Sequence, residues 1–148
     1  MDLDKIDFQL KNSLGYVTNL VANRFKTALE SEFLKAGFEI TAHQWMILSV
    51  VYENNGLEQN ELANLIKRDK TNVSRMLEKL ETKELIVRPK SDFDKRATKI
   101  FITKNGKNLR KNLAKIASKL LDKSVFGMSE NEQEFCIKTL MKIYANLS

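Results

Sequence analysis

Apolar residues recur with a helical period along most of this chain, and the one stretch that breaks the rhythm is short and basic. Over residues 5–36, Ile6, Leu10, Leu14, Val17, Val21 and Ala28 fall on one face, Phe8, Leu20, Phe25, Leu29 and Phe33 widen it, and Gly37 supplies a stop. The pattern predicts a helix of roughly 30 residues, about 45 Å long. That exceeds the diameter of the small domain it belongs to, and free monomers rarely expose large apolar patches, so the surplus face is expected to form half of a homodimer interface.

Thr41 and Gln44 form a T-x-x-Q capping box that predicts a second helix to about Glu53. Trp45, Met46, Ile47, Leu48, Val50 and Val51 leave it no wide polar face, which predicts central burial. The same residues would suit a strand; the cap and the length before Asn54-Asn55-Gly56 decide for a helix. A third helix is expected over residues 61–68 with Leu62, Leu65 and Ile66 inward. Asp69 then caps a fourth over residues 70–83, whose Val73, Met76, Leu77 and Leu80 are spaced i, i+3, i+4, i+7. Two short helices joined by a tight turn are a helix-turn-helix, with the second as recognition helix.

Residues 86–90 and 97–103 read as strands, the second alternating Thr98, Ile100 and Ile102 against Lys99 and Phe101. Ser91-Asp92-Phe93-Asp94 supplies the turn between them, so residues 86–103 are expected to form a β-wing. A fifth helix follows from Thr103 with Leu109, Leu113, Ile116, Leu120 and Leu121, ending by Gly127. A second capping box, Ser129 and Glu132, opens a last helix with Cys136, Leu140, Met141, Tyr144 and Leu147 on one side. The expected fold is mainly α with a small β-wing: a winged helix-turn-helix over residues 41–103 and a helical dimerisation region from residues 5–36 and 104–147, within one domain of 148 residues.

Charge adds a second signal. Residues 67–99 hold eleven Lys and Arg against six Asp and Glu, a surplus of five out of the chain's net +6. Basic charge concentrated on one helix and one projecting hairpin is an electrostatic footprint for nucleic-acid phosphate. With one His, one Cys and no Gly-rich phosphate loop, no nucleophile and base pair can be assembled, so no enzyme activity is expected. The same poverty leaves no metal site and no cofactor motif. No stretch approaches the roughly 20 apolar residues of a membrane span, and a cytoplasmic chain is expected. Cys136, among Phe135, Ile137 and Leu140, reads as a small buried hydrophobe and not as a redox sensor.

Set in this order, the motifs Thr41-x-x-Gln44-Trp45-x-x-Leu48, Glu61-Leu62-Ala63, Thr71-Asn72-Val73-Ser74-Arg75-x-x-x-x-Leu80, Asp94-x-Arg96 and Ile100-x-Ile102-Thr103-x-x-Gly106 resemble the MarR family of winged-helix transcriptional regulators over nearly the whole chain. Glu84 departs from the resemblance, since the family usually carries Gly there. The resemblance implies a homodimer on a pseudo-palindromic double-stranded DNA site with half-sites about 10 base pairs apart, and repression by default. On the recognition helix, Lys70, Thr71, Asn72, Ser74 and Arg75 are the DNA-binding candidates, with Arg75 suited to bidentate contact with guanine. Thr71 and Asn72 could instead satisfy the helix start and touch phosphate alone. On the wing, Lys90, Lys95 and Arg96 are the candidates, Arg96 resembling the family's minor-groove contact, while Asp94 is expected to brace the wing by pairing with Arg88 or Arg96. A solvated charged hairpin is the plain alternative, but a tip of one sign serves no folding purpose.

The resemblance further implies a small aromatic or anionic effector, in a pocket between the first, second and fifth helices lined by residues such as Tyr16, His43 and Trp45. For a lone His after a helix start and a lone Trp in an apolar helix, cap and core roles compete with ligand contact. A winged-helix scaffold that binds protein or RNA instead of duplex DNA is the remaining alternative, because fold does not fix function.

Overall fold

The structure, a computed structural model, describes residues 10–89 and 98–148. The chain divides into two compact units, one ending at Ile116 and the other beginning at Ala117. A 3-10 turn (Leu10–Asn12) is followed by α1 (Leu14–Lys35), α2 (Ala42–Glu53), α3 (Gln59–Ile66), α4 (Lys70–Thr82), β1 (Ile86–Val87), β2 (Phe101–Ile102), α5 (Lys104–Ser124) and α6 (Glu130–Asn146).

The first helix is shorter than its periodicity predicts. Residues 5–9 lie outside the described residues, and α1 begins only at Leu14, because Ser13 adopts an extended backbone and its hydroxyl accepts the Tyr16 N–H. A serine that bonds the backbone locally in this way starts a helix instead of continuing one. The 22 residues of α1 span about 33 Å, and Gly37, at φ 89°, follows its end. Leu10, Leu14, Val17, Leu20, Val21 and Phe25 are all exposed, so the apolar surplus of this segment is real.

The capping box of α2 forms as expected: the Gln44 N–H donates to Thr41 Oγ1 at 3.1 Å, and Gln44 Oε1 accepts the Thr41 N–H at 3.0 Å. Those bonds let Gln44 be buried without an orphaned amide oxygen. Ile47, Leu48 and Val51 sit fully inside, and one core joins them to Phe33 of α1, Leu62 and Ala63 of α3, Val73, Leu77 and Leu80 of α4, Ile86, Ile100 and Ile102 at the wing base, and Leu113 of α5. In α3 the expected inward set is corrected. The helix starts two residues earlier, and Ala63 takes the core position assigned to Leu65, which is 58% exposed. Residues 62, 63 and 66 make the inner edge of this eight-residue helix, and position 65 lies roughly 100° around from it.

The wing base is shorter than the alternation suggests: β1 and β2 are two residues each, antiparallel, with Ile86 opposite Ile102 and Val87 opposite Phe101. A third segment joins this ladder. Gly56 N–H donates to Ile100 O, Ile100 N–H to Leu57 O and Gln59 N–H to Thr98 O, at 2.8–2.9 Å, so the chain leading into α3 is tied to the strand leading out of the wing.

Two backbone positions fix how this base meets its neighbours. Glu84 adopts φ 58°, the left-handed conformation that favours Gly, and its carbonyl accepts the Thr103 hydroxyl at 2.7 Å. Gly106, in the first turn of α5, lies so close to the strand that an added Cβ would stand 2.2 Å from the Leu85 carbonyl oxygen. Thr103 completes the joint: its Oγ1 accepts the Gly106 N–H, and its own N–H donates to Leu85 O.

In the second unit, Ser129 and Glu132 form their reciprocal capping box on α6. Cys136 is exposed, which corrects the expectation of burial. The reason is the helix as a whole: Phe135, Ile137, Leu140, Met141, Tyr144 and Leu147 are exposed as well, and α6 buries no residue within its unit. Among the described residues, no helix is long and apolar enough to cross a membrane.

Replacing Glu84 by Gly relieves the left-handed strain and is expected to raise unfolding stability by about 1 kcal/mol, whereas Gly106→Ala forces the backbone apart and is expected to cost about 2–3 kcal/mol. Chemical denaturation checks both; equal and small effects would show that neither position constrains the wing base.

Candidate nucleic-acid interface

The turn between α3 and α4 is built by three residues. Lys67 closes α3 in the left-handed conformation at φ 54°, the Arg68 N–H returns to Ala63 O at 3.1 Å, and Asp69 caps α4. This reversal seats the inner sides of both helices in the same core, so the opposite side of α4 faces outward by default.

Lys70, Thr71, Asn72 and Arg75 are exposed on that outer side, Ser74 is half-buried, and Glu78 is exposed one turn further along. Asn72 is already engaged. Its N–H donates to Asp69 Oδ1 at 3.0 Å and its Nδ2 to Asp69 Oδ2 at 2.6 Å, so one carboxylate both caps the helix and orients the amide. The capping alternative for Asn72 is therefore visible in the geometry. Thr71 and Arg75 make no such internal tie among the described residues, and Thr71 lies in the first turn of α4, whose positive end is the ordinary setting for anion contact.

Arg88 follows β1 and is anchored inward. Its Nε donates to Glu81 Oε1 at 2.6 Å and Nη1 to Gln59 Oε1 at 3.1 Å, while Nη2 pairs with the same Glu81 oxygen. These partners come from α4 and α3. The expected pairing with Asp94 cannot be placed, because Lys90, Asp94, Lys95 and Arg96 lie outside the described residues.

The three residues expected to line an effector pocket have separate roles. Trp45 packs edge-on against Phe33, with ring centroids 6.0 Å apart, and the Arg110 guanidinium stands 5.8 Å from its ring and 4.3 Å from that of Tyr52. Tyr16 lies in the first turn of α1, half-buried. His43 Nε2 lies 2.8 Å from Arg68 Nη2. Since a guanidinium can only donate, the imidazole nitrogen accepts, which requires His43 to be neutral. Two surface hollows, of about 360 Å³ beside α3 and about 450 Å³ beside the wing base, have none of these three residues in their walls. Arg68, Gln59, Glu81 and Arg110 carry no motif that marks them in sequence; their roles arise from contacts between residues far apart in the chain. Among the described residues no group of His, Cys, Asp and Glu is placed to hold a metal ion.

A tight helix-turn-helix whose second helix turns a short polar face outward, followed by an antiparallel hairpin base, defines a winged helix-turn-helix protein. Residues 40–98 match the profile of the MarR family. The HTH-type transcriptional regulator YybA of Bacillus subtilis is 28% identical over 109 residues, covering 74% of this chain and 73% of its own. Among solved structures, S. aureus MepR in complex with DNA superposes with a TM-score of 0.81 at 26% identity, covering 93% of this chain and 99% of that one. The transcriptional regulator SlyA gives 0.82 at 25% identity, covering 92% and 94%. Over residues 40–98 the chain thus matches the MarR family, and its fold is similar to that of these transcriptional regulators.

His43 titrates below its ordinary value of 6.5, chiefly through burial, then through the Arg68 and Lys26 charges, with Glu30 opposing. The unfolded chain therefore takes up the proton first, so the stability from neutral His43 is present above pH 6.5 and is lost as pH falls through the depressed folded value. As the chain has a single His, its imidazole resonances should titrate in isolation, below the ordinary value, and His43→Gln should flatten the melting temperature over that acid range. A titration at or above the ordinary value would show that Arg68 does not donate to it.

Proposed function

We propose that this chain is a homodimeric, sequence-specific regulator of transcription that grips duplex DNA with α4 in the major groove and the wing in the adjacent minor groove. The observation that carries the reading is α4 itself. Its apolar stripe is consumed by the core, and Lys70, Thr71, Asn72, Ser74 and Arg75 are what it offers to a groove. MepR, which shares this fold at 26% identity, was solved bound to DNA. Arg75 is the side chain for guanine, with Lys70 and the backbone at the start of α4 on phosphate. Lys90, Lys95 and Arg96 add the cationic wing, and Asp94 and Arg88 stiffen it.

Dimerisation is supported by the apolar residues that each unit leaves in the open: Leu14, Val17, Leu20, Val21 and Phe25 on α1, and Phe135, Ile137, Met141 and Leu147 on α6. Their burial between two copies matches the composition of stable homodimer interfaces. Two copies then present two reading helices, and a pseudo-palindromic site follows from the symmetry. Repression is the simplest outcome of occupying a promoter. A small aromatic or anionic effector that alters the spacing of the two helices would release the site; Tyr16, His43 and Trp45 remain its proposed contacts.

Fluorescence anisotropy with a duplex recovered by the wild-type protein from a randomised pool, competed with unrelated duplex and with RNA at stated salt, tests the reading. Arg75→Ala is expected to weaken binding by about 1–3 kcal/mol and to relax preference at one base position. Arg96→Ala is expected to weaken binding and lower the salt slope by about one. Equal affinity for duplex and RNA, or a monomer at micromolar concentration by sedimentation, would overturn the reading.

A further inference from the structure

The strongest feature left over is the position of Arg88. Its side chain is 15% exposed and Glu81's 34%, and one guanidinium makes charge-assisted bonds to α4 and a hydrogen bond to α3 while its backbone continues β1. Among the described residues, no other cation bonds to side chains of both α3 and α4 in this way. We infer that Glu81 and Gln59 are positioning residues: together they fasten the wing base, through Arg88, to the recognition helix, and so set the rotation of α4 relative to the wing.

Three observations converge on this role. First, Ser74, Glu78 and Glu81 are spaced i, i+4, i+7, so Glu81 lies on the same stripe of α4 as the groove-facing Ser74. Fixing Glu81 fixes the direction in which that stripe points. Second, Gln59 is the first residue of α3 and its N–H also donates to Thr98 O, so the clamp's third point is already part of the three-segment ladder at the wing base. Third, only Lys83, Glu84 and Leu85 join α4 to β1, with Glu84 left-handed; the Arg88–Glu81 tie spans this connector and adds a side-chain constraint to the one its backbone supplies.

The lever arm is short and the tolerance small. At the 5–6 Å radius of a helix with its side chains, a 20° rotation about the axis moves a side-chain tip by roughly 2 Å, which is enough to break a hydrogen bond to a base edge. Phosphate contacts by flexible lysines survive such a shift. The clamp therefore acts on discrimination more than on attraction. It also pairs the Glu81 carboxylate, which on a DNA-facing stripe would otherwise repel phosphate.

The proposal rests on the duplex-binding reading above, and its test separates the two. Affinities for the pool-selected duplex and for an unrelated duplex of equal length are measured for wild type, Glu81→Ala and Glu81→Gln. Glu81→Ala is expected to lower the ratio of selected to unrelated affinity about tenfold, and Glu81→Gln, which keeps an acceptor, to restore most of it. Partial unfolding lowers both affinities by one factor, and loss of a negative charge raises both, so neither alters the ratio; an unchanged ratio overturns the proposal. Native-state hydrogen exchange, which needs no DNA, gives the second readout: in Glu81→Ala the amides of the wing-base ladder, such as Ile100 and Thr103, should exchange about tenfold faster while those of Leu48 and Val51 in α2 stay protected. Unchanged ladder exchange also overturns it. A wild type without preference for any duplex would count against the DNA-binding reading, and the exchange result would still decide the clamp.

Discussion

Helices of eight and thirteen residues have no independent existence in water, where even favourable sequences of that length are marginal. The burial of Leu62, Ala63, Val73, Leu77 and Leu80 in one core is therefore the constraint on which the interface depends. It decides both that α4 exists and which way it faces. Because the apolar stripe occupies one side, the exposed positions of the other side carry few packing demands, and a small domain can turn polar residues outward there without weakening its interior.

The wing base extends the same logic to backbone. Segments around residues 57, 86, 100 and 102 contribute Leu57, Ile86, Ile100 and Ile102 to the core while satisfying one another's N–H and C=O groups. Thr103 and Gly106 then seat the start of α5 against Leu85, the glycine because no other residue leaves room for the carbonyl. The Ile-x-Ile-Thr-x-x-Gly run thus has a physical meaning at each position: two core residues, one cap and one point of closest approach.

Much of this was legible in the chain because it is local. Caps are written within four residues, and Thr41 with Gln44, Asp69 and Ser129 with Glu132 all form as their spacing indicates. The departures come from effects with a longer reach or a competing local bond. Ser13 breaks a periodic apolar run because a hydroxyl on the backbone outweighs periodicity. The pairing of residues 56–59 with 98–100 joins positions far apart in the chain, such as Glu58 with Lys99, and leaves no local trace. Leu65 is exposed because α3 turns the side carrying residues 62, 63 and 66 to the core, and Cys136 because α6 has no inner side within its own unit. The partners of Arg88, His43 and Arg110 are likewise set by the tertiary fold. Glu84 is the instructive case: its backbone is left-handed, the conformation that glycine favours, and the side chain it carries gives no sign of it.

Asp69 receives both the main-chain and the side-chain N–H of Asn72. The first of these bonds uses only the backbone of position 72 and survives any exchange there except to Pro; the second belongs to the amide alone. The start of α4 is therefore written at position 69 and leaves position 72 free to vary. Under the proposed duplex reading, a new target sequence can be approached by single exchanges at 72, each losing one side-chain tether while the helix still begins in the same place.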